Sequence, residues 1–169
     1  MSDAPILVTG AAGGSQGSTG FHVTRSLLEQ GRPVRAFVHR LDDRSDRLSA
    51  LGADVVEGDL HDVRSVTGAM AGIRRAYFAY PVQSGLLEAA AAFGHAARAA
   101  GVEQVVNLSQ WLQPGDEQPT PHQTRHWLTE RVFEWAEVGA VHLDATVFYE
   151  NLRVWALGSL AHAGVIALP

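Results

Sequence analysis

The stretch Ile6 to Gly20, ILVTGAAGGSQGSTG, constrains the fold more than any other, because a short apolar run passes straight into a glycine-rich loop. Ile6 to Thr9 are mostly β-branched and apolar apart from the threonine, the make-up of a strand buried on both faces of a parallel sheet. Five glycines follow, Gly10, Gly13, Gly14, Gly17 and Gly20, and a helical pattern comes next. Glycine permits positive φ and lets phosphates approach bare N–H groups, while a helix N-terminus adds partial positive charge. Strand, loop and helix in this order predict a dinucleotide pyrophosphate site built from Gly10, Gly13, Gly14, Ser15, Gln16, Gly17, Ser18, Thr19 and Gly20.

Rival readings of the same loop are less well supported. A triphosphate-binding loop needs a lysine before Ser or Thr, and this chain contains no lysine. Gly13 to Gly17 also matches G-x-S-x-G, but Ser15 lies too far beyond Thr9 for the sharp turn on which a hydrolase serine sits. A purely structural glycine turn stays open.

At 169 residues the chain suffices for one domain with a full core. No apolar run approaches a membrane span, and the start, MSDAP, has no basic and apolar leader, so a cytoplasmic location is expected. The absence of cysteine excludes disulfides, thiolate catalysis and zinc–thiolate sites. Net charge is −5 and the arginines are scattered, which disfavours direct nucleic-acid binding.

Beyond the loop, Phe21 to Gln30 reads as a helix ended by Gly31, with Phe21, Val23, Thr24, Leu27 and Leu28 sharing a face. Val34 to Val38 is the second strand, and its tip decides cofactor choice: an acid there takes a ribose 2′-hydroxyl, a base a 2′-phosphate. The tip is His39-Arg40, which favours NADP(H), with Arg40 the main phosphate partner; Asp42 and Asp43 close behind keep NAD(H) open. Ser45 to Leu51 reads as a short helix capped by Ser45, and Asp54 to Glu57 as strand three. Asp59 and Leu60 follow it at the adenine position, where Asp59 can equally be a turn residue bonded to its own backbone. Asp62 caps Val63 to Met70, and Ala76 to Tyr80 is strand four, bringing Tyr80 and Pro81 to the point where strand order reverses.

Gly85 to Ala100 reads as an alanine-rich helix and Val105 to Ser109 as strand five, carrying Asn107 and Ser109 toward the nicotinamide. Gln110 to Pro121 reads as a loop, His122 to Val138 as a helix and Val141 to Thr146 as strand six. Six strand signals alternating with five helical ones define an α/β fold: a Rossmann-like, doubly wound parallel sheet with helices on both faces.

The motifs VTGAAG at Val8 to Gly13, VRAFVHR at Val34 to Arg40, EGDLHD at Glu57 to Asp62 and FYENL at Phe148 to Leu152 resemble the NmrA-like proteins, atypical short-chain dehydrogenase relatives that bind NAD(P). The resemblance runs nearly end to end. It implies either an NAD(P)H-dependent reductase of quinone-like or aromatic acceptors, or a redox-sensing regulator that binds cofactor without turnover. Three departures stand out. Gln16 breaks the Gly-x-x-Gly-x-x-Gly spacing; no Tyr-x-x-x-Lys dyad can exist without lysine; and Asp144-Ala145 replace Arg-Pro before FYENL.

Counted back from Glu130, His126 falls at the lysine position of the family pattern and His122 at the tyrosine position. The two are one helical turn apart, and a proton-donating role for His122 stands beside plain helix-surface or cofactor-contact readings and a two-imidazole metal site, for which nothing else in the family argues. Tyr149 and Asn151 follow strand six, where they can line a substrate pocket, though Asn151 can equally cap a following helix. Trp111, Trp127 and Trp155 suit either a flat aromatic pocket or the core. Relatives extend beyond the last residues of this chain with parts that complete the substrate cleft, so either a truncated cofactor-binding portion or a homodimer covering the exposed sheet edge is expected.

Overall fold

The structure, a computed structural model, describes residues 4–14, 18–112, 119–146, 148–149, 151, 156–157 and 164–165. Eleven elements alternate: β1 (Ile6–Thr9), α1 (Thr19–Glu29), β2 (Val34–Val38), α2 (Asp43–Ala50), β3 (Asp54–Glu57), α3 (Val63–Ala69), β4 (Arg75–Phe78), α4 (Leu86–Ala100), β5 (Gln104–Gln110), α5 (Pro121–Trp135) and β6 (Val141–Ala145). The six strands form one sheet in the order β3-β2-β1-β4-β5-β6, and every neighbouring pair is parallel. Order reverses between β1 and β4, so the crevice above their carboxyl ends is where a doubly wound sheet binds ligands.

Period-2 alternation sends neighbouring residues of each strand into different layers. Leu7, Phe37, Ala76, Phe78 and Val105 pack under α3, α4 and α5, where Phe78, Phe93 and Phe133 meet edge-on or tilted at 4.9–6.0 Å between ring centroids. Val8, Ala36, Val38 and Tyr77 face the other layer, against Phe21, Val23, Leu27 and Leu28 of α1 and Leu48 of α2. The apolar face expected for α1 is therefore the one that packs.

Several boundaries differ from the sequence reading. Ser45 does not cap α2. Asp42 does, accepting from Arg44 N and Ser45 N, while the Ser45 hydroxyl accepts from Asp42 N in return. A carboxylate three residues ahead of a serine completes this reciprocal box, so the helix begins two residues early. Pro121 is not loop but the first residue of α5, where its missing N–H costs nothing, with Thr120 as cap. Strand four is Arg75–Phe78, leaving Ala79 and Tyr80 in the loop beyond it. Asp62 caps α3 as expected, through Arg64 N at 3.0 Å.

Candidate functional site

The glycine turn is built around close backbone approach. Gly10 and Gly13 have φ of +65° and +69°, a region in which L side chains are strained, and Gly13 N donates to Gly10 O at 3.2 Å. Gly20, in the first turn of α1, is buried; a Cβ there would lie 2.5 Å from Gly10 O and 2.8 Å from Thr9 O. Only glycine allows the helix to start this close under the turn. Ser18, the N-cap, makes no side-chain cap bond, and the first turn of α1 carries no acidic residue. The helix therefore presents uncapped N–H groups and its positive dipole end beside the turn, the electrostatic arrangement that receives a pyrophosphate. Thr19 is bonded to Tyr77, whose phenol burial pushes above its usual pKa. Ser15, Gln16 and Gly17 lie outside the described residues.

Beside this turn, at the end of β2, His39 and Arg40 are exposed. The Asp42 carboxylate is engaged locally: it caps α2 and also takes the Arg44 guanidinium at 2.6–3.3 Å, which holds it below the usual carboxylate range. Arg44 reaches on to Gly13 O at 3.3 Å, tying α2 to the glycine turn. Sequence reading missed Arg44; the signal available was the D-x-x-S box, which places it inside the first turn of a helix starting at Asp43.

Past β3, Asp59 Oδ1 accepts from His61 N at 2.9 Å and lies 3.1 Å from His61 Nδ1, and these contacts, the backbone one foremost, lower its pKa. The turn role of Asp59 is thus realised. Leu60 packs against the main core cluster. His61 Nε2 lies 3.1 Å from both Gly85 O and Tyr80 Oη, and Tyr80 Oη donates to Ser84 O at 2.9 Å. His61 therefore links the loops after β3 and β4. Pro81 is exposed beside Tyr80.

Asn107 and Ser109 point from β5 into the layer under α5 and are 0% and 3% exposed. Ser109 Oγ donates to Glu130 Oε1 at 2.5 Å, and Asn107 Nδ2 lies 3.2 Å from His142 Nδ1. His122 and His126 are joined Nε2 to Nε2 at 3.2 Å. Burial lowers both, His126 to about 4, so the pair is neutral at pH 7. Asn107 Oδ1, His126 Nδ1 and Thr129 Oγ1 are buried without partners, which marks a polar layer with unused hydrogen-bonding capacity next to the crevice. Glu130 is drawn toward Ser109, not toward the histidines.

Tyr149 is 86% exposed, and Asn151 N donates to Phe148 O in a helical turn. Of the helix that Asn151 was expected to cap, Ala156 and Leu157 are described and helical, while residues 152–155, Trp155 among them, and 158–160 lie outside the described residues. Trp111 and Trp127 are each 45% exposed and belong to no core cluster. A cavity of about 220 Å³ opens at the opposite end of the strands, between Arg32, Arg74, Arg75 and Glu103. It is remote from the crevice, and Glu103 is engaged by Arg74. Among the described residues no group of three His, Cys, Asp or Glu is arranged for a metal, and no helix is long and apolar enough to cross a membrane.

A glycine turn at the switch point of a 3-2-1-4-5-6 parallel sheet, with an uncapped helix N-terminus beneath it, defines a dinucleotide-binding Rossmann domain. Residues 14–147 match the family described as NAD(P)H-binding, and the chain belongs to that family. This accords with the NmrA-like resemblance of its motifs. It is 29% identical over 153 residues to the NAD(P)H azoreductase of Xenophilus azovorans, covering 89% of this chain and 51% of that protein. Among solved structures it is similar to the NADPH-dependent quinone oxidoreductase of Escherichia coli complexed with NADPH, with TM-score 0.77 and 24% identity over 93% of this chain and 54% of that one. It is also similar to the Citrobacter sp. triphenylmethane reductase complexed with NADP(H), with TM-score 0.73 and 22% identity over 91% and 55% of the two chains. The chain thus spans about half the length of these relatives.

Proposed function

We propose that this chain is the cofactor-binding part of an NADP(H)-dependent oxidoreductase that reduces a flat, conjugated acceptor of the quinone type. The observation that carries the cofactor choice is the engagement of Asp42. With its carboxylate held by the α2 cap and Arg44, the acid nearest the tip of β2 is withdrawn from a ribose 2′-hydroxyl; the exposed Arg40 is the cation for a 2′-phosphate, and Arg44 joins it by giving up part of its pairing with Asp42 and Gly13 O. Gly10, Gly13, Gly14 and Gly20 with the first turn of α1, including Ser18 and Thr19, hold the pyrophosphate, and Gly17 with its neighbours Ser15 and Gln16 completes the loop. Asp59 and Leu60 flank the adenine; Tyr80 and Pro81 line the nicotinamide side, while Asn107 and Ser109, read from sequence as nicotinamide contacts, stand behind it in the buried layer under α5.

When bound, NADPH supplies a hydride, and one proton completes the two-electron reduction of a quinone to a hydroquinone. The chain orients the acceptor and passes that proton. In the tautomer in which His126 Nε2–H donates to His122 Nε2, His122 carries its own proton on Nδ1 and can hand it to an acceptor. Water delivers the proton, directly or relayed through this imidazole as its second nitrogen takes a proton in return, so the missing Tyr-Lys dyad matters less for a quinone than for a ketone. Tyr149 and Asn151 are the substrate-side residues of this reading, the acceptor is a small molecule and not nucleic acid or a membrane, and the location is cytoplasmic.

A second reading, a cofactor-binding redox sensor acting through a protein partner, draws on the absence of lysine and on the low pKa of His126, which deprive the site of a strong acid at neutral pH. Fluorescence titration with NADPH and with NADH, followed by NADPH oxidation with 1,4-benzoquinone, separates the two. Preferential NADPH binding with acceptor-dependent oxidation supports the reductase; tight binding without oxidation favours the sensor. Binding of neither dinucleotide overturns both.

A further inference from the structure

β3 and β4 are not neighbours in the sheet; β2 and β1 stand between them. The loops that follow them are nevertheless joined by one side chain. His61, in the loop after β3, presents Nδ1 to Asp59 Oδ1 and Nε2 to both Gly85 O and Tyr80 Oη, each at 3.1 Å. Its ring meets the Tyr80 ring edge-on, with 5.8 Å between centroids. Gly85, with φ of +97°, makes the room: a Cβ there would collide with His61 Nε2 and lie 2.8 Å from Tyr80 Oη. Ala79, one residue before Tyr80, lies against Gly10, where a Cβ would be 3.3 Å from Ala79 O. The bridge thus runs from the glycine turn, through the loop after β4, to the loop after β3.

Each of these three atoms faces the imidazole as an acceptor. Asp59 is a carboxylate, Gly85 offers a carbonyl, and Tyr80 donates its own proton to Ser84 O at 2.9 Å. A neutral imidazole has one N–H and satisfies one side of this arrangement; an imidazolium has two and satisfies both. We propose that His61 is a positioning residue for the dinucleotide: with a proton on each ring nitrogen, it clasps the loops after β3 and β4 into one wall of the cofactor cleft. This role rests on the cleft proposed above, in which Asp59 and Leu60 flank the adenine and Tyr80 and Pro81 the nicotinamide side. Without the ring, Asp59 N keeps its bond to Ser65 Oγ at 3.1 Å and Tyr80 its bond to Ser84 O, neither of which joins the two loops. A ligand that selects the clasped wall is coupled to the proton that closes it, and the coupling is reciprocal. The ionisable groups in contact with the ring are Asp59 and Tyr80, and His39 at the end of β2 acts on the Asp59 carboxylate. Asp62 is engaged in the α3 cap, and Glu88, in the first turn of α4, is exposed.

The test compares the parent chain with His61→Phe, which keeps a ring and removes both donors, and with His61→Gln, whose amide can donate toward one side and not both. Amide hydrogen exchange of the ligand-free chains should speed up in His61→Phe at residues 59–61 and also at residues 80–85, with thermal midpoints nearly equal. NADPH affinity, from fluorescence titration at pH 6, should fall about tenfold in His61→Phe and about threefold in His61→Gln, the cost of losing charge-assisted bonds that set the wall. The ratio of variant to parent dissociation constants should shrink toward one by pH 8. Titration of the ligand's 2′-phosphate and of His39 is common to all three proteins and cancels in that ratio. Unchanged exchange at residues 80–85, or a pH-independent ratio, overturns the proposal. A parent that binds neither dinucleotide removes the cofactor cleft and the role of His61 together, whereas a parent that binds NADPH no better than His61→Phe leaves the cleft standing and removes the role of His61 alone.

Discussion

Thr9 and Ala79 lie 70 residues apart and exchange two hydrogen bonds: Thr9 Oγ1 donates to Ala79 O at 2.9 Å and accepts from Ala79 N at 2.8 Å. Thr9 ends β1 and Ala79 follows β4, so the pair closes the sheet where its strand order reverses and seats the glycine turn directly above. A threonine inside an otherwise apolar strand is explained by this contact, since both backbone groups of Ala79 depend on one hydroxyl.

Thr9→Val keeps the side-chain shape and removes both bonds, leaving buried backbone groups unpaired. A loss of about 1–3 kcal/mol is expected in urea unfolding, with Thr9→Ser retaining most of it. Equal stability of the two variants would show that the hydroxyl does not hold the switch point.

Gly20→Ala places a methyl group 2.5 Å from Gly10 O, which is backbone and cannot swing aside. The helix must move away from the turn, with an expected cost of about 1–3 kcal/mol and a fall of at least about tenfold in NADPH affinity. Gly14→Ala is the control for stability. Nothing lies within 4 Å of a Cβ at that position, so its unfolding midpoint should be nearly unchanged.

Replacing Arg44 by Met should weaken NADPH about tenfold and leave NADH almost unaffected, the signature of a lost charge-assisted bond to a phosphate that only one dinucleotide carries. Paired titrations of Arg44→Met and Arg40→Met report how the two cations share the task. Equal loss for both dinucleotides would instead mean that Arg44 acts through its bond to Gly13 O.

Burial depresses the pKa of His126 from 6.5 to about 4, with His122 adding a smaller repulsion. The unfolded chain therefore binds more protons than the folded one between those values. The stability held by neutral His126 is complete above about pH 6.5 and is lost as pH falls toward 4, by an amount on the order of 3 kcal/mol. His126→Gln should flatten the stability profile across that window while parent and variant keep similar slopes above it. A variant profile as steep as the parent's would place the titrating group elsewhere.

Much of the architecture was legible because it is local. Alternating apolar runs, glycines past helix ends and the Asp62 cap each declare an element within a few residues, and six such strands in alternation with helices leave few topologies other than the one observed. The α2 cap was misassigned because Asp42, Asp43 and Ser45 all carry capping side chains. The choice among them depends on where the chain leaves β2, and only Asp42 stands at that point.

At the site, sequence located the glycine loop, since the demand for bare backbone is written in residue type. It also brought His39, Arg40, Asp59 and Tyr80 to strand ends, because a parallel sheet places every strand terminus on one side. Tertiary structure alone decided what those side chains do. Whether Ser109 faces the crevice or Glu130, and whether Thr9 meets water or Ala79, depend on partners 21 and 70 residues away. Hydrogen bonds of that kind form only after strands and helices have packed, so their pairing is a property of the fold and not of any stretch of the chain.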